Sequence, residues 1–275
     1  MAVLVAGGAV AAAVLATGGG DELRAGGLPD TPDYHSLLVT DGPGSLVLGT
    51  HYGLYQSADG GLTWEKTALD GEDAMNLGRA GGGVIWTAGH NVLAKSADGG
   101  RTWQDVRPEG LPHLDIHGFA VDPGDPRTLW AALAGQGLYR SSDAGERFEL
   151  VTREVGAGVM ALAATRGGRL LAGEMQQGLV VSDDDGKTWR LTLEAGLMGL
   201  AVNPSDPELI LATGPGILRS TDGGRNWDQV LPLEQGAGPV AWAPSEPATA
   251  YVVGFDRTLY KTTDRGESWQ PVGAR

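Results

Sequence analysis

The chain has 275 residues, 45 glycines, no cysteine and a formal net charge of −14. The lack of cysteine excludes disulfides, thiolate metal sites and lipid attachment at a signal-peptide cysteine. The acidic balance argues against nucleic acid and anionic membrane surfaces as partners and suits a solvated acidic surface.

The N-terminus differs from the rest. Ala2 to Thr17 is an unbroken run of Ala, Val, Leu, Gly and Thr, with Val14 and Ala16 offering small or apolar residues to a cleavage site and no basic residues ahead of the run. This reads as a signal peptide or uncleaved anchor over residues 1–20 and implies an extracytoplasmic protein; an Ala/Gly-rich tail is the alternative. Residues 21–33, with Asp-Glu and two prolines, read as a linker. Residues 34–273 then form one domain.

Within that domain short Val/Leu/Ala/Tyr runs bounded by Gly and Pro predict strands in sets of four. The first set is Ser36–Thr40, Ser45–Thr50, Gly53–Ser57 and Thr63–Ala68, and the second Met75–Ala80, Val84–Ala88, Val92–Ser96 and Thr102–Val106. The third is His117–Val121, Thr128–Ala134, Gly137–Ser141 and Arg147–Val151, and the fourth Met160–Thr165, Arg169–Gly173, Gly178–Ser182 and Thr188–Thr192. The fifth is Met198–Val202, Leu209–Thr213, Gly216–Ser220 and Asn226–Val230, and the sixth Val240–Ala243, Thr249–Val253, Thr258–Thr262 and Ser268–Val272.

The turn between the third and fourth strands repeats. Ser57-Ala58-Asp59-Gly60-Gly61-Leu62-Thr63-Trp64 has equivalents beginning at Ser96, Ser141, Ser182, Ser220 and Thr262, a period of roughly 40. The Asp can accept hydrogen bonds from its own turn, the Gly supplies positive φ, and the Trp can bury its ring beneath. The third copy has Arg147-Phe148 in place of Thr-Trp, which predicts a looser turn. The turns between the first and second strands carry their own signature, as in Asp122-Pro123-Gly124-Asp125-Pro126 and Asn203-Pro204-Ser205-Asp206-Pro207. Four short strands at this period make a propeller blade. The expectation is an all-β, six-bladed β-propeller, with blade 6 packing on blade 1 and no strand borrowed across the closure.

The pattern S/T-x-D-x-G-x-T-W resembles the Asp-box, or BNR repeat, of sialidases, sortilin-type receptors and the photosystem II assembly factor family. The resemblance covers nearly the whole predicted domain. It implies that these boxes, each at the turn between strands C and D, are structural rather than catalytic.

In each blade, named A to D from the centre, A–B and C–D turns share one face and D–A and B–C connections share the other. All five histidines fall on the second face: His35 and His117 at inner strands, His51 and His90 at B–C turns, His113 in a D–A connection. Aligning the inner strands puts His35, Met75, His117, Met160 and Met198 at one equivalent position, and Met175 matches His51 and His90. Imidazole and thioether together select copper, with thioether favouring Cu(I) and imidazole Cu(II) or zinc. The expectation is a metal ion, copper foremost, or another small ligand at the channel mouth, with His51, His35 and His117 leading. Filling of the channel by Met is the plain alternative.

A sialidase would need three arginines clasping a carboxylate and a Tyr-Glu pair, as the family resemblance implies; the Phe/Tyr-Arg-Ile-Pro motif of that family is missing, and Arg101, Arg147 and Arg225 lie inside the boxes. A glycoside hydrolase remains an alternative through the face carboxyls Asp33, Glu72, Asp73, Asp115, Glu174 and Asp256. A protein-docking or assembly platform, acting as a monomer, is the third reading. Trp86, Trp130 and Trp242 are expected to fill blade interfaces.

Overall fold

The computed structural model describes residues 27–42, 44–155 and 158–273. The signal or anchor assignment, residues 1–20, lies outside them. Six four-stranded antiparallel sheets follow one another along the chain, each in simple up-and-down order. Blade 1 comprises β1 (Ser36–Val39), β2 (Leu46–Thr50), β3 (Gly53–Ser57) and β4 (Glu65–Ala68), and blade 2 comprises β5 (Asn76–Arg79), β6 (Ile85–Gly89), β7 (Val92–Ser96) and β8 (Gln104–Asp105). Blade 3 comprises β9 (Ile116–Val121), β10 (Leu129–Leu133), β11 (Gly137–Ser141) and β12 (Glu149–Thr152), and blade 4 comprises β13 (Val159–Ala164), β14 (Leu170–Glu174), β15 (Gly178–Ser182) and β16 (Arg190–Leu193). Blade 5 comprises β17 (Gly199–Val202), β18 (Ile210–Thr213), β19 (Gly216–Ser220) and β20 (Asp228–Pro232), and blade 6 comprises β21 (Ala237–Trp242), β22 (Ala250–Gly254), β23 (Leu259–Thr262) and β24 (Gln270–Pro271). Each inner strand packs on the next, and β21 packs on β1, so the ring closes by blade-to-blade packing. The protein is a six-bladed β-propeller.

The core is distributed between blades. Leu37, Leu46, Leu48, Tyr251 and Val253 join blades 1 and 6, whereas Trp86, Phe119, Leu129 and Phe148 join blades 2 and 3. Trp130 and Trp242 are buried in the interfaces of blades 3 with 4 and 5 with 6, as their positions predicted. Hydrogen bonds reinforce the inner ring: Ser36 Oγ donates to the Ala74 carbonyl at 2.9 Å, and Asn76 links to Ile116 O at 3.3 Å and Phe119 N at 3.2 Å.

The repeated turns are closed by their own side chains. Asp59 Oδ1 accepts from Ser57 Oγ at 2.8 Å and Thr63 N at 2.9 Å, Oδ2 accepts from Thr63 Oγ1 at 2.6 Å, and Ser57 Oγ accepts from Gly61 N at 2.9 Å. The Trp64 indole donates to Gly61 O at 3.1 Å from a fully buried position. Gly61 has φ of 90°, and a Cβ there would lie 2.1 Å from Leu259 Cδ2, so the position needs glycine twice over.

Two expectations change here. The outer strands start two residues later than the pattern suggested, at Glu65, Gln104, Glu149, Arg190, Asp228 and Gln270. The reason is that the two residues before each start are still held by the turn: the amide of the first, Thr63 in blade 1 and Arg147 in blade 3, binds the box Asp, so they cannot join the ladder. The third turn is not loose either. Asp143 Oδ1 still accepts from Ser141 Oγ at 2.7 Å and Arg147 N at 3.0 Å, Phe148 is buried, and Glu109 pairs with the turn through two 2.9 Å backbone bonds to Glu146 O and Phe148 N. Backbone pairing replaces the missing side-chain bond.

Residues 27–33, part of the segment read as linker, pack on the propeller. Leu28 and Thr31 are buried, Tyr34 donates to Pro29 O at 2.6 Å, and Arg257 of blade 6 pairs with Asp30 and with Thr31 O at 2.9 Å.

Ser57→Ala would leave the buried Gly61 N–H without its acceptor and is expected to destabilise the fold by about 1–3 kcal/mol, measured by urea unfolding. Trp64→Ala removes a fully buried ring and is expected to cost about 3–5 kcal/mol in the same experiment. Hydrogen bonds from Thr188, Asn226 and Ser268 hold the Asp184, Asp222 and Asp264 carboxyls at about 2. These groups are more acidic folded than unfolded, so the stability they add is present above about pH 4 and is lost as pH falls toward about 2. A fall of Tm across that window, steeper than in an Asp184→Asn/Asp222→Asn/Asp264→Asn variant, is the expected result.

Candidate functional site

Three short triplets place the polar groups at the channel mouth: Asp33-Tyr34-His35, Asp73-Ala74-Met75 and Asp115-Ile116-His117. In extended chain, alternate side chains face opposite ways. The middle residues Tyr34, Ala74 and Ile116 are buried in the interblade core. Their flanking neighbours therefore turn to the mouth together. The B–C turns bring two more rings alongside. Backbone bonds fasten those turns to the triplets: His35 N to Gly49 O at 2.9 Å, Ala74 N to Thr50 O at 3.0 Å, and Asn91 N to Leu114 O at 2.8 Å. Gly89 permits the close approach, since a Cβ there would lie 2.0 Å from Asp73 O.

The result is a continuous array of four imidazoles and three carboxylates across blades 1 to 3. His51 Nδ1 lies 2.6 Å from Asp33 Oδ2 and 2.9 Å from His35 Nε2, and the His51 amide donates to Asp33 Oδ1 at 3.1 Å. Asp73 Oδ2 sits between two rings, 3.4 Å from His51 Nε2 and 2.5 Å from His90 Nδ1. Those two rings stack nearly parallel, with centroids 6.3 Å apart. At the far end His90 Nε2, His117 Nε2 and Asp115 Oδ1 form a triangle with sides of 3.2, 3.2 and 3.3 Å. Three overlapping groups of three donors result: Asp33, His35 and His51; His51, Asp73 and His90; and His90, Asp115 and His117.

The electrostatics favour a cation. Asp73 Oδ1 and Asp115 Oδ1 are both shielded from solvent; Asp73 Oδ1 accepts no hydrogen bond, whereas Asp115 Oδ1 faces only His90 Nε2 and His117 Nε2, at 3.3 and 3.2 Å. A buried carboxylate oxygen without a partner is costly unless a positive charge meets it. Burial, reinforced by repulsion from His51, holds the His35 ring below the usual imidazole range, whereas Asp33 works in the opposite sense. His35 is thus neutral at pH 7, with a nitrogen lone pair available.

Of the nine side chains singled out in the sequence, His35, His51, His90 and His117 come together in this array. His113 stands aside: its Nδ1 accepts from the Asp115 amide at 3.1 Å and so positions that carboxylate's loop. Met75, Met160 and Met198 line a cavity of about 70 Å³ within the channel, which His35 also lines. Met175 is exposed on the opposite half of the rim. The carboxylates Asp33, Asp73 and Asp115 stand in the sequence reading only as hydrolytic candidates. A signal for them as co-donors exists: each lies two residues ahead of an aligned His or Met. Blades 4 to 6 have Gly158, Gly196 and Gly236 at that place.

No family model matches the chain. A stretch of 54 residues is 44% identical to vacuolar protein sorting/targeting protein 10 of Fusarium vanettenii, and this match covers 19% of the chain and 4% of that protein. Among solved structures, the GH74 xyloglucanase from Xanthomonas campestris superposes with a TM-score of 0.62 at 20% identity over 91% of this chain and 46% of that one. YCF48 bound to D1 peptide superposes with a TM-score of 0.58 at 19% identity over 89% and 83% of the two chains. YCF48 from Cyanidioschyzon merolae gives 0.57 at 15% identity over 88% and 87%. The chain spans about half the length of the xyloglucanase. The likeness at these identities is one of propeller fold.

NMR titration of the metal-free protein is expected to show the His35 ring titrating below the ordinary histidine range of about 6.5. His51→Ala removes the repulsion that helps hold it down and opens the ring to water. Its titration should then move upward; no movement would contradict the coupling.

Proposed function

We propose that the protein binds a transition-metal ion at the His/Asp array on the rim of blades 1 to 3. The observation that carries this reading is the donor triangle of His90, His117 and Asp115, with sides of 3.2–3.3 Å. Imidazole and carboxylate ligands about 2.0–2.2 Å from a metal stand about 3.0–3.5 Å apart in octahedral or tetrahedral geometry. The side chains are therefore spaced as a metal would hold them. The unpartnered Asp73 Oδ1 adds to the demand for positive charge.

Copper is the leading ion, as Cu(II) rather than Cu(I). The donors are nitrogen and oxygen, which suit borderline divalent ions, and Cu(II) binds such sets most tightly among the first-row metals, ahead of zinc. The thioethers that would select Cu(I) belong to the channel lining, where Met75, Met160 and Met198 fill space. Three protein ligands in a group leave coordination positions open toward solvent, as a site that takes up a metal or a further ligand requires.

A hydrolase reading has one observation in its favour. Glu174, at the rim end of β14, is buried, and burial raises its carboxyl above the usual range, as a general acid needs. Hydrolysis of a β-glucan such as xyloglucan, abolished by Glu174→Gln, would support it. A protein partner on the same face is the docking alternative, in keeping with the peptide-bound YCF48 propeller.

The test of the metal reading is metal content after desalting of the full chain incubated with Cu(II) or Zn(II). The wild type should retain copper, and His51→Ala/His117→Ala should lose it while keeping the far-UV spectrum of the wild type. Failure of the wild type to retain either metal would overturn the reading.

A further inference from the structure

We infer that the array takes two metal ions rather than one, held at its two ends, with Asp73 as the carboxylate between them. This rests on the metal-binding reading above and specifies its stoichiometry.

The tautomers limit which groups can fill together. A neutral imidazole offers one nitrogen to a metal and carries its proton on the other. His51 and His90 each belong to two of the three donor groups and present a different nitrogen to each. His51 Nε2 and His90 Nδ1 face Asp73 Oδ2, whereas His51 Nδ1 faces Asp33 and His35, and His90 Nε2 faces Asp115 and His117. The central group and the end groups therefore compete for the same rings. With both protons directed at Asp73, the outward nitrogens are free and both end sites can fill at once. They share no donor atom. A carboxylate that accepts the distal proton of a metal-bound histidine is a common way to fix its tautomer and orientation.

Three observations choose the ends over the centre. The end groups each own a complete Asp-x-His triplet, Asp33-Tyr34-His35 and Asp115-Ile116-His117, whereas the central triplet is Asp73-Ala74-Met75. The central carboxylate is also the deeply buried one, with 10% of its side chain exposed against 25% for Asp33 and 42% for Asp115. Finally, the three carboxylates face no Lys or Arg within ion-pair distance among the described residues, and their ionic partners there are the four histidines. One divalent ion leaves a single negative charge uncompensated, so the charge of the array admits a second ion.

The test is Cu(II) titration of the full chain with metal analysis after desalting, followed by continuous-wave electron paramagnetic resonance on the loaded protein, in which dipolar broadening and a half-field transition report two ions this close. The wild type should hold two equivalents with a dipolar coupling between them. His35→Ala and His117→Ala should each hold one equivalent and lose the coupling. Asp73→Asn should still accept two but bind about 10–100-fold more weakly, as expected on losing a carboxylate that orients the metal-bound rings. One equivalent in the wild type, with no coupling, overturns this inference and leaves the metal-binding reading standing. No retained Cu(II) overturns both. The wild-type stoichiometry and coupling distinguish these outcomes without any variant, so a misfolded mutant leaves the test intact.

Discussion

Burial of Tyr34, Ala74 and Ile116 between blades is the constraint on which the rim depends. Each sits in the middle of a triplet entering an inner strand. Because strand side chains alternate, fixing that residue in the core fixes its two neighbours at the channel mouth. The same constraint acts in blades 4 to 6 through Val159, Leu197 and Ala237, which are equally buried. There the flanking residues are Gly and Met or Gly. The scaffold is therefore uniform around the ring, and its chemistry is confined to one half.

Assembling that half is electrostatically demanding. Carboxylates brought together out of water repel one another and lose hydration. The array mitigates this by alternating Asp with His along the rim, and by backbone donors such as the His51 amide to Asp33. The shielded Asp73 Oδ1 remains without a donor. In a protein whose overall charge is −14, a positive ion would be drawn to this face by the general field as well as by the local deficit. The propeller around it is held independently, by the self-closing turns on the opposite face and by the interblade core, so the site can be altered without dismantling the fold.

Most of the architecture is legible in the sequence because the repeat is local. Ser57, Asp59, Gly61 and Trp64 make their bonds within eight residues, and the Ser or Thr, the Asp and the Gly survive in all six blades. The outer-strand starts escape the pattern because a Thr-Trp pair has strand propensity yet is held in the turn by the Asp. The third turn looks loose for want of Thr and Trp, but its tie to Glu109 comes from a distant D–A connection that periodicity does not reveal. For the site, alignment of inner strands brings the histidines to one face but does not say which side chains touch. His113 differs from its neighbours only through a local bond to the Asp115 amide. The methionines share the register of His35 and His117 yet line the channel, where flexible apolar side chains fill space. The Asp residues two positions upstream carry the missing half of the pattern.

The central claim is that the histidines and aspartates of blades 1 to 3 ligate a metal through nitrogen and oxygen. X-ray absorption at the copper edge of the Cu(II)-loaded full chain tests it most directly. The account predicts nitrogen and oxygen neighbours at about 2.0 Å with the outer scattering of imidazole, and no sulfur near about 2.3 Å. Sulfur scattering at that distance would move the ion to the methionines, and a spectrum without imidazole scattering would remove it from the rim altogether.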